Sequence, residues 1–443
     1  MARRVIVLGG GVAGESFAAA LRRHDPEVPI TLVERDLVGG ECSYWACIPS
    51  KTLLRPLEVL FRARVAPGAA EALNGVDVAR IFWWRDQVAG KDDTSQAEWL
   101  EAKDVELVRG EGTVVEPGLV RVGELDLEYG ALLVATGSLP VAPRVQGLDG
   151  LDYWGSREGT SASEVPESIA IVGGGAVGCE LAQFYGRLGS RVTLVQSGAH
   201  LLPRVDSEAG DALAEVLRDE GVDVRLGART TAVDGARSRF RLEIEGQDPV
   251  DASHLLIATG RRPNVEGFGF EELEVTLERR GIAVDDRLRA GAGVWAVGDV
   301  TGVALFTHVG KYQARVAAAN VAGLDARADY RAIPAVIFTD PQIASVGDLS
   351  GDGAVVTTFP LASTSRSSTY YRPKKPGFVK LFADRGRRVL VGAVVVGPEA
   401  GEWLGQLTLA VRAEVPIDVL RDTIQPFPTF SEAIFFAARD LDL

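Results

Sequence analysis

The sequence predicts an α/β fold with two Rossmann-like dinucleotide-binding domains and a C-terminal α+β domain. Two glycine-rich segments predict the Rossmann-like domains, because each lies between an apolar strand and a helix. The last third of the 443 residues instead has apolar runs typical of an antiparallel sheet. The predicted division is 1–150, 151–265, 266–328 and 329–443, with the first and third parts forming one domain.

The first glycine-rich segment belongs to a complete strand–turn–helix–strand unit. Residues 5–8 and 30–34 predict buried parallel strands, and the second ends at Glu34. The G-x-G-x-x-G between them allows phosphate to approach a helix N-terminus. Glu34 stands 20 residues after the last glycine, where an acidic side chain binds a ribose hydroxyl. The glycines are Gly9, Gly11 and Gly14.

The same unit recurs in the middle of the chain. Residues 168–172 and 191–195 predict strands, with a helix between them that runs to Leu188. Gln196 follows the second strand, 18 residues after the last glycine. Two complete units predict two bound dinucleotides and electron transfer between them. The second set of glycines is Gly173, Gly175 and Gly178.

The remaining elements connect these units and complete the chain. Residues 132–137 and 255–260 both predict strands that end in Ala-Thr-Gly, where the chain crosses between the first domain and an inserted second one. Residues 294–299 predict a strand ending in Gly-Asp, and residues 308–323 predict a helix. The last third is predicted to contain strands at 335–338, 378–382 and 388–396, a polar loop at 363–376 and helices from about 402.

Composition excludes several classes of protein. The net charge of −14 and the pI near 5.0 argue against nucleic acid or an anionic membrane as the main partner. No apolar run reaches the length of a transmembrane helix, and Arg3-Arg4 is interpreted as a charged lead-in to the first strand. The expected compartment is a reducing cytoplasm, where a disulfide would be catalytic rather than structural.

Two of the three cysteines, Cys42 and Cys47, lie five positions apart. They follow shortly after the first G-x-G-x-x-G segment, which is the first of the two dinucleotide-binding fingerprints. This context predicts a redox-active pair; the alternative is two reduced cysteines that act as small apolar side chains. The pair lacks the further His or Cys ligands of a zinc site, so no metal site is predicted. An ideal helix points positions i and i+5 about 140° apart, so a bridge needs a distorted first turn, which Pro49 marks.

Together these motifs resemble the FAD-dependent pyridine nucleotide–disulfide oxidoreductases, a family that includes dihydrolipoamide dehydrogenases and mercuric reductases. The resemblance covers essentially the whole chain. It rests on both fingerprints, both Ala-Thr-Gly segments, Gly298-Asp299, the block at 338–341 and Cys-x4-Cys-x-Pro-Ser-Lys at 42–51.

The resemblance implies an FAD site and an NADPH or NADH site. Asp299 would bind the ribityl chain of FAD, and His308 would lie near the flavin. Gln196 stands where NADH-preferring relatives have a glutamate, which slightly favours NADPH. The residues expected to bind the cofactors are Gly9, Gly11, Gly14, Glu34, Lys51, Thr136, Gly137, Gly173, Gly175, Gly178, Gln196, Gly260, Asp299 and His308.

The resemblance also implies catalytic roles. Cys47 would be the thiolate beside the flavin, and Cys42 would attack a disulfide acceptor. Lys51 would lie near the flavin and pair with Glu180. Cys179 is interpreted as structural.

One departure from the family pattern affects the acceptor side. Relatives that handle dithiols have a His-x-His-Pro-Thr block. Its second histidine comes from the partner subunit and acts as the acid–base. Here Phe427 stands in the place of that histidine, while Glu432, its usual partner, is retained. Such a base contributes about 10²–10⁴-fold to the rate. His308 is a conceivable substitute. Mercury reduction is disfavoured because the chain shows no C-terminal cysteine pair and no metal-binding extension.

The sequence therefore leaves two acceptors open. The first is a disulfide reduced through the cysteine pair; the second is a quinone or metal ion reduced at the flavin. The last third is expected to form the interface of a homodimer with a small-molecule acceptor and no nucleic-acid or membrane partner.

Overall fold

The computed structural model describes residues 4–236, 238–369 and 377–443. The charged lead-in at Arg3 and the predicted loop residues 370–376 lie outside the described residues. The described helices are α1 (Val12–His24), α2 (Gly40–Tyr44), α3 (Cys47–Arg64), α4 (Val78–Val88), α5 (Thr94–Glu101), α6 (Ser156–Ser161), α7 (Ala176–Arg187), α8 (Ser207–Asp219), α9 (Thr307–Val321), α10 (Ser365–Ser368), α11 (Ala400–Arg412), α12 (Ile417–Asp422) and α13 (Glu432–Arg439).

The described strands form parallel and antiparallel sheets. They are β1 (Val5–Leu8), β2 (Ile30–Glu34), β3 (Val105–Arg109), β4 (Gly112–Glu116), β5 (Leu119–Val122), β6 (Leu125–Glu128), β7 (Ala131–Val134), β8 (Ser138–Pro140), β9 (Ser168–Val172), β10 (Arg191–Val195), β11 (Asp223–Arg225), β12 (Thr230–Ala236), β13 (Arg239–Ile244), β14 (Gln247–Ala252), β15 (His254–Ile257), β16 (Arg261–Pro263), β17 (Leu277–Glu278), β18 (Gly281–Ile282), β19 (Arg289–Gly291), β20 (Val294–Ala296), β21 (Pro334–Ile337), β22 (Gln342–Gly347), β23 (Ala354–Pro360), β24 (Phe378–Asp384) and β25 (Val389–Gly397).

The first compact unit comprises the described residues up to Pro49, Arg85–Val141 and Gly260–Asp329. Its sheet has the order β19-β20-β7-β1-β2-β3, and β1 pairs in parallel with both β2 and β7. One face is covered by α1 and α9, whose buried side chains include Phe17, Leu21 and Ala317. The meander β4-β5-β6 contributes to the core on the other face. The two strands of the first fingerprint unit are buried, so they need this cover on both faces of the sheet.

The second unit comprises Ser50–Trp84, Ala142–Thr259 and Tyr330–Leu443. It holds a parallel sheet of order β11-β10-β9-β15, a meander β12-β13-β14 and a five-stranded antiparallel sheet of order β21-β22-β25-β24-β23. Helices α11, α12 and α13 pack on the antiparallel sheet through an apolar core that includes Leu407 and Ile434. The four-part division of the chain remains a prediction.

The predicted α/β class is confirmed, and the four strands of the two fingerprint units have the predicted bounds. Other local predictions were wrong. The strands expected over 132–137 and 255–260 end at Val134 and Ile257, before the Ala-Thr-Gly residues. The strand expected over 294–299 ends at Ala296, because Gly298 has a φ of +80° and begins a 3₁₀ turn. The polar segment 363–376 is not all loop, since α10 forms one short turn that has no apolar periodicity to reveal it.

The helix expected to bend at Pro49 is divided earlier. Cys42 lies in α2, and Cys47 is the first residue of α3. Between them the helix is interrupted at Trp45, whose φ of −136° is not helical. Pro49 sits in the first turn of α3, where its missing N–H costs no helical hydrogen bond. The interruption frees the two cysteines from the angular offset of one continuous helix.

Candidate functional site

The first fingerprint forms an open helix N-terminus. Gly9 has a φ of +109°, and a Cβ there would overlap the carbonyl oxygen of Ala135. A Cβ on Gly14 would overlap the carbonyl oxygen of Gly9, so α1 lies against the end of β1. Gly11, the N-cap, faces open space and provides no side-chain cap. The first N–H groups of α1 are therefore available to a phosphate.

Glu34 is bonded to the fingerprint itself. Its Oε2 accepts from the Gly10 amide at 2.6 Å, and its Oε1 accepts from the Asp36 amide at 2.7 Å. These bonds fix the carboxylate at the end of β2, and each oxygen keeps a lone pair for a ribose hydroxyl. The cradle and this acid fit a dinucleotide such as FAD.

Asp299 lies mostly buried in the turn after β20. Ser138 donates to its Oδ2 at 2.6 Å, and Arg261 donates to the Ser138 hydroxyl at 2.8 Å. Burial raises the pKa of Asp299, while the Ser138 bond and the Arg261 charge lower it. A hydrogen-bonding carboxyl thus lies in the turn after β20, and its contact with a ribityl chain remains a prediction.

The two Ala-Thr-Gly segments differ in their bonding. Thr136 donates to the carbonyl of Asn264 at 2.7 Å, and the Asn264 amide donates to the carbonyl of Gly137 at 3.0 Å. Gly260 has a φ of +135° and faces open space. Thr136 and Gly137 therefore hold a neighbouring loop, and their cofactor contacts remain predictions.

The second fingerprint reproduces the first. Gly173 has a φ of +114°, and a Cβ on Gly178 would overlap its carbonyl oxygen. Gly175 caps α7 without a side chain and faces open space. Gln196 Oε1 accepts from the Gly174 amide at 2.9 Å, as Glu34 does in the first unit. Because Gln196 is neutral, this position does not repel a 2′-phosphate.

A groove of about 280 Å³ lies beside Gln196 in the second unit. Ser197, Arg144 and Arg229 are among the residues that line it. Both arginines are exposed, and among the described residues neither has a carboxylate within ion-pair distance. The groove therefore offers two free guanidinium groups to an anionic ligand.

The cysteine pair converges on one hydroxyl group. Thr307, the first residue of α9, donates its Oγ1 to Cys42 Sγ at 3.1 Å and lies 3.3 Å from Cys47 Sγ. All three cysteines are thiols in this structure. Cys42 and Cys47 are partly exposed residues, whereas Cys179 is fully buried and contacts the Gly174 carbonyl at 3.4 Å.

The electrostatics of the pair favour a proton on Cys42. Its hydrogen bond with Cys47 raises the pKa of Cys42 well above the ordinary range, and burial and the charge of Cys47 add to this; Thr307 and Lys311 lower it. The hydrogen bond within the pair thus favours a proton on Cys42. Burial also raises the pKa of Cys179, consistent with an unreactive cysteine.

Lys51 and Glu180 form an ion pair in the second unit. Lys51 Nζ lies 2.9 Å from Glu180 Oε2, whose side chain is only 6% exposed. Glu180 also accepts from the Phe338 amide at 2.9 Å, and Lys51 lies 4.7 Å from the Phe338 ring centroid. The pairing expected from the resemblance is present, and it holds the ammonium in one orientation.

Phe427 and Glu432 stand in the block where the family pattern has the acid–base histidine. Phe427 is 72% exposed, and Glu432 accepts from the Thr429 amide at a long 3.4 Å. His308 stacks on Phe306, with ring centroids 5.1 Å apart, while its neighbour Thr307 contacts both sulfurs. The role of His308 remains a prediction.

Sequence reasoning missed three residues that the structure brings to these sites. Thr307 meets cysteines 260 or more positions away, and no local pattern marks such a contact. Arg144 and Arg229 come from separate segments that line one groove. The only signal in the sequence was Gln196, a neutral residue where NADH-preferring relatives have a glutamate that binds the ribose.

The comparisons identify the family. The family model described as "Pyridine nucleotide-disulphide oxidoreductase" matches residues 3–323, and the model of the family's dimerisation domain matches residues 333–438. A dihydrolipoyl dehydrogenase of Thermus scotoductus is 35% identical, covering 99% of this chain and 97% of the relative. A mercuric reductase of Streptomyces lividans is 34% identical, covering 98% and 95%.

Solved structures agree with these matches. LpdA from Mycobacterium tuberculosis has a TM-score of 0.88 at 28% identity, covering 98% of this chain and 99% of that one. The HOCl-induced flavoprotein disulfide reductase RclA from Escherichia coli has a TM-score of 0.86 at 25% identity, covering 99% of both chains. A Cu(II) complex of RclA is also similar, with a TM-score of 0.85 at 25% identity, covering 99% of both chains.

Thr307→Val should slow the alkylation of Cys42 by iodoacetamide in the reduced protein. The hydroxyl lowers the pKa of Cys42 by donating to its sulfur, and a hydrogen bond to a charged group contributes about 1.5–3 kcal/mol, so the rate should fall roughly tenfold or more. Mass spectrometry of the peptide gives the rate. Thr31→Val, which loses a hydroxyl bonded to Glu106, is the control; equal rates in Thr307→Val and the native protein would contradict the assignment.

Arg229→Gln should weaken binding of NADP⁺ by roughly 10- to 100-fold and change NAD⁺ binding little. The reason is that a guanidinium–phosphate hydrogen bond contributes about 1.5–3 kcal/mol and NAD⁺ has no 2′-phosphate. Calorimetry with each nucleotide measures this. Arg191→Gln, which removes an arginine already paired with Glu167, is the control. Parallel losses for both nucleotides would show that Arg229 does not read the 2′-phosphate.

Proposed function

Because this chain belongs to the pyridine nucleotide–disulphide oxidoreductase family, we propose that it passes electrons from NAD(P)H through FAD to a Cys42–Cys47 disulfide and on to a disulfide acceptor. The protein is an enzyme that uses FAD and NADPH or NADH. The observation that carries the proposal is the convergence of Cys42 and Cys47 on the Thr307 hydroxyl. An interrupted helix brings both sulfurs to that one group.

FAD would be held by the first unit. The α1 N-terminus would bind its pyrophosphate, Glu34 its adenosine ribose and Asp299 its ribityl chain. When bound, FAD supplies the two-electron relay between the nicotinamide and the cysteine pair. NAD(P)H would bind at Gly173, Gly175 and Gly178, and the free Arg144 and Arg229 favour NADPH.

The chain's own residues would set the protonation of the site. The hydrogen bond between the cysteines keeps the proton on Cys42 and the charge on Cys47. Lys51 is held by Glu180, and the family resemblance implies that its positive charge takes part in the flavin chemistry. Cys42 would attack the acceptor, and Cys47 would then attack Cys42 to re-form the disulfide and release the second thiol.

A second candidate function, reduction of a quinone or a metal ion at the flavin, is favoured by Phe427. A phenyl ring cannot transfer a proton, and its exposed apolar surface suits a flat acceptor. The relative RclA has been solved as a Cu(II) complex, which extends this alternative to a metal ion. Among the residues the structure describes, no group of three or more His, Cys, Asp or Glu side chains could hold a metal.

The protein is expected to act as a homodimer in the cytoplasm. The family's dimerisation domain matches residues 333–438, and exposed apolar side chains lie within it. Ile424 is 95% exposed and immediately precedes the block that holds Phe427. No helix in the described part of the chain is long and apolar enough to cross a membrane.

Cys42→Ser should abolish disulfide reduction and leave quinone reduction intact, because only the first reaction needs an attacking sulfur at position 42. A panel of disulfides and quinones is assayed with NADPH and with NADH, and anaerobic titration follows the long-wavelength charge-transfer band of the native protein. Cys179→Ala, which removes the buried thiol, is the control. Disulfide turnover that persists in Cys42→Ser, or flavin bleaching without that band, would refute the disulfide mechanism.

Ile424→Asp should weaken the dimer by roughly 10-fold or more, because burying an isoleucine contributes about 1.5–3 kcal/mol and a buried carboxylate costs more. Sedimentation velocity over a dilution series measures the dissociation constant. Leu277→Asp places the same charge on an exposed leucine in the first unit. A dimer as tight as the native one would place the interface elsewhere.

A further inference from the structure

The proposed disulfide reaction needs a group that removes a proton from Cys42. The pKa of this thiol is raised by its bond to Cys47, and Phe427 replaces the usual base. The thiol therefore depends on a base other than the histidine of the family pattern. Among the carboxylates of the first unit, Glu15 lies on α1. The cysteine segment, residues 39–47, packs against this helix.

Glu15 is close in the fold to the start of α2. Gly11 and Gly39 form a bridge between their backbones, and a Cβ on Gly40 would lie 2.9 Å from the Gly11 Cα. Glu15 follows Gly11 by one helical turn, and its amide bonds to the Gly11 carbonyl at 3.0 Å. Cys42 follows Gly40 by two residues. The carboxylate and the thiol thus extend from two helices that touch at their N-terminal ends.

Helix α9 packs on the same end of α1. A Cβ on Gly310 would lie 3.3 Å from the Ala13 Cβ, which requires a close approach of the two helices. Thr307 contacts Cys42, and Lys311 follows Thr307 by one turn. The charge of Lys311 lowers the pKa of both Cys42 and Glu15, so this lysine lies within electrostatic range of both groups.

The surroundings of Glu15 suit proton transfer near neutral pH. Burial raises its pKa to about 7; Lys311 from α9 lowers the pKa, and Asp93 and Glu34 raise it. From α2, Tyr44 faces the same group, since the charge of Glu15 raises the pKa of Tyr44. Among the described residues, no side chain forms a hydrogen bond or ion pair with the Glu15 carboxylate, which is partly exposed.

We infer that Glu15 takes the proton from Cys42 and delivers it to the leaving thiolate, in place of the base that Phe427 cannot provide. The inference rests on the proposed disulfide-reductase function. Water at the partly exposed carboxylate would carry the proton between Glu15 and the sulfur. The same residue then serves both proton transfers of the first attack.

Glu15 accepts the Cys42 proton, and the Cys42 thiolate attacks one sulfur of the acceptor, forming a mixed disulfide and expelling a thiolate. Glu15 returns the proton to that thiolate. The Cys47 thiolate attacks Cys42, forming the Cys42–Cys47 disulfide and releasing the second acceptor thiolate, which takes its proton from water. The acceptor gains two electrons, and the cysteine pair loses the two that NAD(P)H supplied through FAD.

The first test is the pH dependence of disulfide reduction. In the native protein, kcat/KM should fall below about pH 7, because a protonated Glu15 cannot accept a proton. In Glu15→Gln that limb should vanish, and the rate should fall about 100-fold or more. Lys311→Met should move the limb to higher pH, because the lysine lowers the pKa of Glu15. Glu27→Gln, which removes an exposed carboxylate of the same unit, is the control.

A rescue variant separates proton transfer from structural damage. Glu15→Gln/Phe427→His restores an imidazole at the position used by relatives and should recover at least tenfold of the lost rate. Glu15→Gln/Phe427→Leu should not recover it. An unchanged FAD content shows that each variant is folded. A native rate and pH limb in Glu15→Gln, or equal recovery by His and Leu, would overturn the inference.

A readout without an acceptor makes the two proposals separable. In phosphine-reduced protein, the rate of alkylation of Cys42 by iodoacetamide should show a step near pH 7, where Glu15 ionises, and the step should be absent in Glu15→Gln. If the step persists in that variant, Glu15 does not serve Cys42, whatever the acceptor. If the step depends on Glu15 but Cys42→Ser still reduces disulfides, the proposed function fails and the proton link from Glu15 to Cys42 stands.

Discussion

The close contact between Gly14 and the carbonyl of Gly9 is the constraint on which the first unit depends. It fixes the start of α1 against the end of β1, with no space for a side chain. The same end of α1 then receives two further elements. Gly40 approaches Gly11 at the start of α2, and Gly310 of α9 approaches Ala13. A turn suited to phosphate thus also sets the positions of the cysteine segment and of its partners on α9.

The second unit repeats the turn but uses it differently. In both units a side chain at the end of the following strand accepts from the middle glycine amide, Glu34 in one and Gln196 in the other. The geometry is conserved between the two units while the charge is not. Because a neutral amide replaces the carboxylate beside Arg144 and Arg229, the second site is electrostatically suited to a more anionic nucleotide.

The cysteine pair shows how a fold separates two like groups. The hydrogen bond between Cys42 and Cys47 raises the pKa of one thiol, so that the two sulfurs do not ionise equally. In the proposed mechanism this asymmetry suits electron delivery through Cys47 and makes Cys42 dependent on a base. In the inferred mechanism Glu15, within the same unit, provides that base, and burial raises the pKa of its carboxyl group to about 7.

The sequence by itself determined the α/β class, both fingerprints and the cysteine pair, because these depend on local periodicity, on glycine spacing and on motifs a few residues long. It also indicated the Lys51–Glu180 pair through family resemblance. Only the tertiary structure decided that Thr307 contacts both sulfurs. It also decided that the charge of Lys311 lowers the pKa of both Glu15 and Cys42. Those relations join elements far apart in the chain, and burial, which shifts the pKa of a carboxyl group, exists only once the helices have packed.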